Sequence, residues 1–131
     1  MNTRIFDIVG SAMRAQGLRL NTTASNLANA DSVASDPTEA YHSRHPVFAA
    51  TLRDEIGGVA VRGVIESARP PERRHAPDHP LADAEGYIYA SNVDVVEEMT
   101  NMMSASRTYQ SNVEMLNTAR QLMLQTLRLG E

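Results

Sequence analysis

The sequence predicts a mainly α fold: long N- and C-terminal helices forming a coiled-coil domain, with a small irregular β-rich insert between them. Three observations support this. The last forty residues repeat apolar side chains at 3-4 spacing with very little charge, the first thirty follow the same rhythm, and the stretch between them turns to glycine, proline and β-branched residues. The expected division is a discontinuous helical domain, residues 1–31 with 92–131, and an insert, residues 32–91.

In the N-terminal segment Phe6, Val9, Met13, Leu20, Ala24 and Leu27 mark one helical face, interrupted only at Gln16. Gly10 and Gly17 lie two turns apart on a shared face. Each costs about 1 kcal/mol relative to alanine in a helix, which points to another backbone passing close by. No residue between Leu20 and Ala30 is charged, so the carboxamides of Asn26 and Asn29 are expected to pair with a neighbour. Asp31, Ser32, Ser35, Asp36 and Pro37 then end the helix.

The insert begins with a candidate strand at Pro46–Ala50. Gly57-Gly58 opens a clearer one over Val59–Glu66, rich in β-branched residues. Pro70, Pro71, Pro77 and Pro80 make the following stretch a loop, and Gly86–Tyr89 reads as a short strand.

The C-terminal helix is expected over 93–129, roughly 55 Å long at 1.5 Å per residue. Ser91 and Asn92 are N-cap candidates, Asp94, Glu97 and Glu98 suit the positive end of the dipole, and Gly130 is the stop. Val95, Met99, Met102, Tyr109, Val113, Leu116, Met123 and Leu127 form its seam, broken at Ser106 and Arg120. Between Met99 and Leu127 only Arg107, Glu114 and Arg120 are charged. A solvated helix would carry about a quarter charged residues, so this one expects neighbours on several sides.

Composition excludes several classes of function. A chain of 131 residues holds one modest domain, and a net charge of −4 disfavours nucleic acid or an anionic membrane as partner. All twelve basic residues are arginine, and cysteine is absent, so there is neither disulfide nor thiol chemistry. No segment resembles a transmembrane span or a cleaved secretory signal, since Asp7 interrupts the short run Ile5–Val9. His75 and His79 have zinc-like spacing, but Pro77 and Pro80 oppose a helix there. His42 and His45 are no better placed, because Pro46 biases its predecessor toward extended backbone. Arg69, Arg73, Arg74 and His75 read as a solvated loop, and Glu97 with Glu98 as dipole complements rather than an acid/base pair. Neither a phosphate loop nor a nucleophile elbow is present, and no catalytic residue, cofactor or metal site is expected.

The run Ala24-Ser25-Asn26-Leu27-Ala28-Asn29-Ala30-Asp31-Ser32 resembles the N-terminal signature of flagellar rod and hook proteins. Asn92–Met99, Ser104–Tyr109, Asn112-Val113 and Leu116–Ala119 are similar, more specifically, to the proximal-rod proteins of the flagellar basal body. Pro70-Pro71, Pro77–Pro80, Ala82-Asp83, Gly86-Tyr87 and the opening Ile5–Ile8 fit too, although Glu72–Ala76 stand where that family usually carries apolar and aromatic residues.

The resemblance implies a subunit exported unfolded through the flagellar type III apparatus, without a cleaved signal. It would polymerise in the periplasm with copies of itself and other rod subunits into a torque-transmitting tube around the export channel. No catalysis, cofactor, nucleic acid or direct lipid binding is implied. The expected subunit interface is Phe6, Val9, Met13, Leu20, Ser25, Asn26, Leu27 and Asn29 on one helix. On the other it is Val95, Met99, Met102, Tyr109, Val113, Leu116, Met123 and Leu127. Ordering two long helices is costly, so both are expected to fold only on assembly. A small helical adaptor or secretion-system component forming a closed coiled-coil oligomer is the second reading.

Overall fold

A computed structural model describes residues 3–53 and 56–130. The extreme ends of the expected helical domain, Met1, Asn2 and Glu131, therefore lie outside the described residues. Along the chain run α1 (Arg4–Ala28), β1 (Val33–Ala34), β2 (Arg44–Arg53), β3 (Ile56–Glu66), β4 (Glu72–His75), β5 (Tyr87–Ala90) and α2 (Val95–Leu129).

This corrects the mainly α coiled-coil expectation, because the molecule combines helix and sheet. β2 and β3 are ten and eleven residues long and pair antiparallel along their whole length, with a register shift at Val47/Phe48. The periodicity of Pro46–Ala50 marked only the middle of β2, since its ends carry arginine and histidine. A second antiparallel sheet has the order β1-β5-β4. Its β4, Glu72-Arg73-Arg74-His75, is exposed throughout and has no apolar signature, which is why it read as loop.

The two helices do pack together, but not as a free-standing coiled coil. Ser91 Oγ donates to the Ala30 carbonyl at 2.6 Å, bringing the start of α2 to the end of α1. One helical stretch further on, Arg19 donates to Asn101 Oδ1 at 3.2 Å, so the helices run antiparallel. On another side α1 carries the β2–β3 hairpin, pinned where the Val59 amide donates to Ser11 Oγ at 3.1 Å. α1 is thus covered by both α2 and sheet, whereas the backbone of α2 lies close to α1 alone among the described elements, with a side-chain contact from Glu98 to His45 of β2.

The apolar core is thin. Among the described residues only Val9, Ala15, Ala40, Ile88, Ala90 and Ala105 are buried apolar side chains, four of them alanine. Ala15 and Ala105 are small where the helices face each other, which permits a close approach. Gly10 and Gly17 do not mark such an approach within the chain. A methyl added at Gly17 would meet nothing within 4 Å, and at Gly10 only the Arg14 guanidinium at 3.7 Å. The tight point against α1 is Gly58 on β3, where a Cβ would stand 3.1 Å from Ser11 Oγ.

Candidate functional site

With no catalytic constellation in the sequence, the candidate site is the surface of the helices. α2 buries or half-buries Glu98, Met102, Ala105, Tyr109, Asn112, Leu116, Ala119 and Met123. Their 4-3 alternation is a heptad seam, and as far as about Leu116 it is the stripe turned toward α1. Five of the expected interface residues lie on or beside it: Met102, Tyr109, Val113, Leu116 and Met123 are half-buried. Val95, Met99 and Leu127 are exposed. On α1, Val9 is fully buried, while Phe6, Met13, Leu20, Ser25, Leu27 and Asn29 are half-buried.

Asn26 is fully buried, and its partners are within the chain. Its Nδ2 donates to the Arg44 carbonyl at 2.8 Å, and its Oδ1 accepts from the Arg44 amide at 2.9 Å. The carboxamide therefore acts as one rung of a β-ladder at the start of β2. Tyr41 Oη donates to the same Oδ1 at 2.9 Å, and Ser25 Oγ lies 3.2 Å from that hydroxyl. Asn29 bonds only locally, donating to the Ser25 carbonyl at 2.8 Å.

Asn92 plays the matching role before α2. It accepts from the Ser43 amide at 2.7 Å and donates to the Arg69 carbonyl at 2.7 Å. The N-cap of α2 is instead Asp94, which accepts from the amides of Val96 and Glu97 at 3.0 and 3.1 Å. The cap expected at Ser91 or Asn92 fails because Ser91 is occupied at the end of α1 and Asn92 in tying the start of α2 to the insert.

The residues weighed for chemistry are dispersed into surface pairs. Arg69 pairs with Glu97 at 3.2 Å, Arg74 with Glu72 at 3.0 Å, and Arg73 with Glu85 at 3.1 Å. Arg73 also lies 3.6 Å over the Tyr87 ring, and His75 meets that ring edge-on at 4.9 Å. Asp83 closes the turn before β5; hydrogen bonds from the amides of Tyr87 and Glu85 hold its carboxyl below the usual aspartate range. Glu98 is 2 % exposed, with Oε1 3.8 Å from His45 Nε2. No group of three potential metal ligands occurs among the described residues, and no described helix is long and apolar enough to cross a membrane.

What the periodicity missed is a second set of apolar side chains on α2, off the seam. Val96, Met103, Met115, Leu122, Leu124 and Leu129 are all exposed. The signal was available, since Met115, Leu122 and Leu129 repeat at intervals of seven. A groove of about 800 Å³ also opens between the first half of α1 and the hairpin, lined by Phe6, Asp7, Ser11, Arg14, Thr51, Leu52 and Gly57–Ala60.

Two sequence families match the chain. The family described as flagella basal body rod protein covers residues 6–34, and flagellar basal body rod FlgEFG protein C-terminal covers 84–129. The chain is 54% identical over 129 residues to the flagellar basal-body rod protein FlgC of Salmonella typhimurium, spanning 97% of this chain and 96% of that protein. Identity and coverage are the same for FlgC of Escherichia coli O6:H1. FlgC of Buchnera aphidicola (subspecies Acyrthosiphon pisum) is 40% identical over 131 residues, again across 97% of this chain and 96% of the relative.

Proposed function

The chain belongs to the FlgC family of flagellar basal-body rod proteins and is a structural subunit of the flagellar rod; on that premise we propose where and how it assembles. It is exported unfolded by the flagellar type III apparatus and polymerises in the periplasm, within the proximal rod, around the export channel. Residues 1–31 and 92–131 form the assembling unit, with the insert of 32–91 tied to it through Asn26 and Asn92. Its neighbours are copies of itself and other rod subunits, and its work is mechanical rather than catalytic.

The observation that supports this best is the apolar surplus of α2. A chain meant to remain a monomer keeps contiguous exposed apolar surface small. Here one helix leaves valine, methionine and leucine in water on both flanks of the seam it buries. Those side chains need a second protein surface, and a head-to-tail contact that does not close produces a filament. The same surplus leaves the sixteen expected interface residues divided: those buried or half-buried find partners within the chain, and the exposed Val95, Met99 and Leu127 remain for neighbours.

Deleting the encoding gene is expected to abolish swimming and leave basal bodies without rods by electron microscopy, with the wild-type gene restoring both. Normal rods and motility in the deletion strain would overturn the reading.

A further inference from the structure

The sulfur of this chain is all thioether, with seven methionines and no cysteine. We propose, on the rod-subunit reading above, that Met99 and Met103 are an oxidation site: their conversion to sulfoxides before incorporation keeps the subunit out of the rod.

Met103 is 68% exposed, Met99 54% and Met115 50%, whereas Met13, Met102 and Met123 are half-buried. Among the described residues, exposed sulfur is thus confined to α2. Met99 and Met103 are four residues apart, so they are neighbours on one flank, and the exposed Val96 continues their patch toward the helix start. Met115 stands more than about 100° round the helix from either. Met102 lies between the two in sequence but belongs to the seam that meets α1. The same short stretch therefore holds two accessible thioethers and a shielded one.

Arg107 is the second mark of the site. It is exposed, lies one turn beyond Met103 on the same flank, and forms no ion pair among the described residues. A thioether is a weak acceptor and offers a guanidinium little, but a sulfoxide oxygen is a strong one. Oxidised Met103 thus has a charged donor within its reach.

The oxidant is of the peroxide class, and the step is a two-electron one. A lone pair on Sδ attacks one oxygen of hydrogen peroxide, and the O–O bond breaks as the S–O bond forms. The departing hydroxide takes the proton from the transferred oxygen and leaves as water; sulfur is oxidised and peroxide reduced. A dithiol reductant reverses this, yielding a disulfide and water. Each sulfoxide turns a flexible apolar side chain into a polar one. Two such dipoles in the patch of Val96, Met99 and Met103 must lose their water before another protein surface covers it, and an apolar surface returns no hydrogen bond. Once the patch is covered, peroxide no longer reaches the sulfurs, so the sensitive species is the free subunit.

The purified free subunit is treated with dilute hydrogen peroxide, and its sulfoxides are located by fragment mass spectrometry. Met99 and Met103 are expected to oxidise at least about fivefold faster than Met102. Equal rates overturn the site. In a strain deleted for the gene, the chain is then induced during a sublethal peroxide pulse, and new rods are counted by electron microscopy. The pulse is expected to cut rods built from the wild-type chain by about threefold or more. It should leave the yield of Met99→Leu/Met103→Leu, which keeps volume and apolarity, unchanged. Equal losses in both strains overturn the effect on assembly. If the leucine variant builds no rods without peroxide, the wild-type chain decides: rods as rich in sulfoxide at 99 and 103 as the unassembled pool overturn the proposal, and rods depleted in it uphold it. Basal bodies that lack this chain altogether overturn the rod reading and the gate with it.

Discussion

At the scale of single residues, two asparagines in one uncharged stretch have different consequences. Asn26 is buried and makes three hydrogen bonds that join α1 to β2 and Tyr41. Removing its carboxamide takes the partner from the Arg44 amide and carbonyl at a part-buried site and leaves Tyr41 Oη with Ser25 alone, which costs about 2 kcal/mol. Asn29 is half-buried and bonds only to its own helix end, so its loss costs less than about 1 kcal/mol. Urea unfolding of Asn26→Ala and Asn29→Ala is expected to show that gap in the midpoint at constant slope. Equal midpoints would mean that the rung at the start of β2 contributes little. The sequence carried half of this: polar side chains on an uncharged helix announced that they were paired, but not that the partner of Asn26 was the chain's own strand, eighteen residues away.

At the scale of elements, the legible parts were those whose burial repeats. Both helices follow 3-4 spacing because one stripe of each faces the other; β3 is the exception, legible from β-branched propensity alone, since Val61, Val64 and Ile65 are exposed. β4 stayed hidden because it is an exposed edge, held by its ladder to β5 and by Arg73 over Tyr87 rather than by burial. The turn feeding β5 depends on Gly86, whose φ of 82° is left-handed. An added Cβ would also stand 3.0 Å from Pro77 Cβ and 3.3 Å from Pro77 Cα. Gly86→Ala is therefore expected to destabilise the protein by about 1–3 kcal/mol. It should act through the small sheet, with amide shifts moving in 72–90 and staying fixed in 100–120; a wild-type melting temperature would refute this. The seam of α2 shows the complementary limit. The apolar pattern located a contact stripe but could not tell the face that meets α1 from the faces left open, since both consist of the same methionines and leucines.

At the scale of the whole molecule, α1 has company on two sides and α2 on one. That asymmetry divides α2 into regions of unequal stability in the free subunit. From Glu98 to about Asn112 the helix lies against the body of α1 and buries Glu98 and Ala105. Past about Leu116 it leaves α1 behind, and an isolated helix of a dozen residues is marginal in water. Nucleation comes free from the packed portion, yet each further residue must be ordered with little apolar burial to offset its entropy. In the dilute monomer, amides of about 119–129 should therefore exchange with deuterium within about tenfold of an unstructured chain. Those of 100–112 should be slower by about a hundredfold or more. In assembled basal bodies the tail should acquire the protection of the rest, because a neighbour's apolar surface supplies the burial that the monomer lacks. Folding on assembly would then be confined to the third of α2 that reaches toward the next subunit, not spread over both terminal helices. Uniform protection along α2 in the monomer would show that the helix holds its own end, and that assembly docks a finished surface instead of completing one.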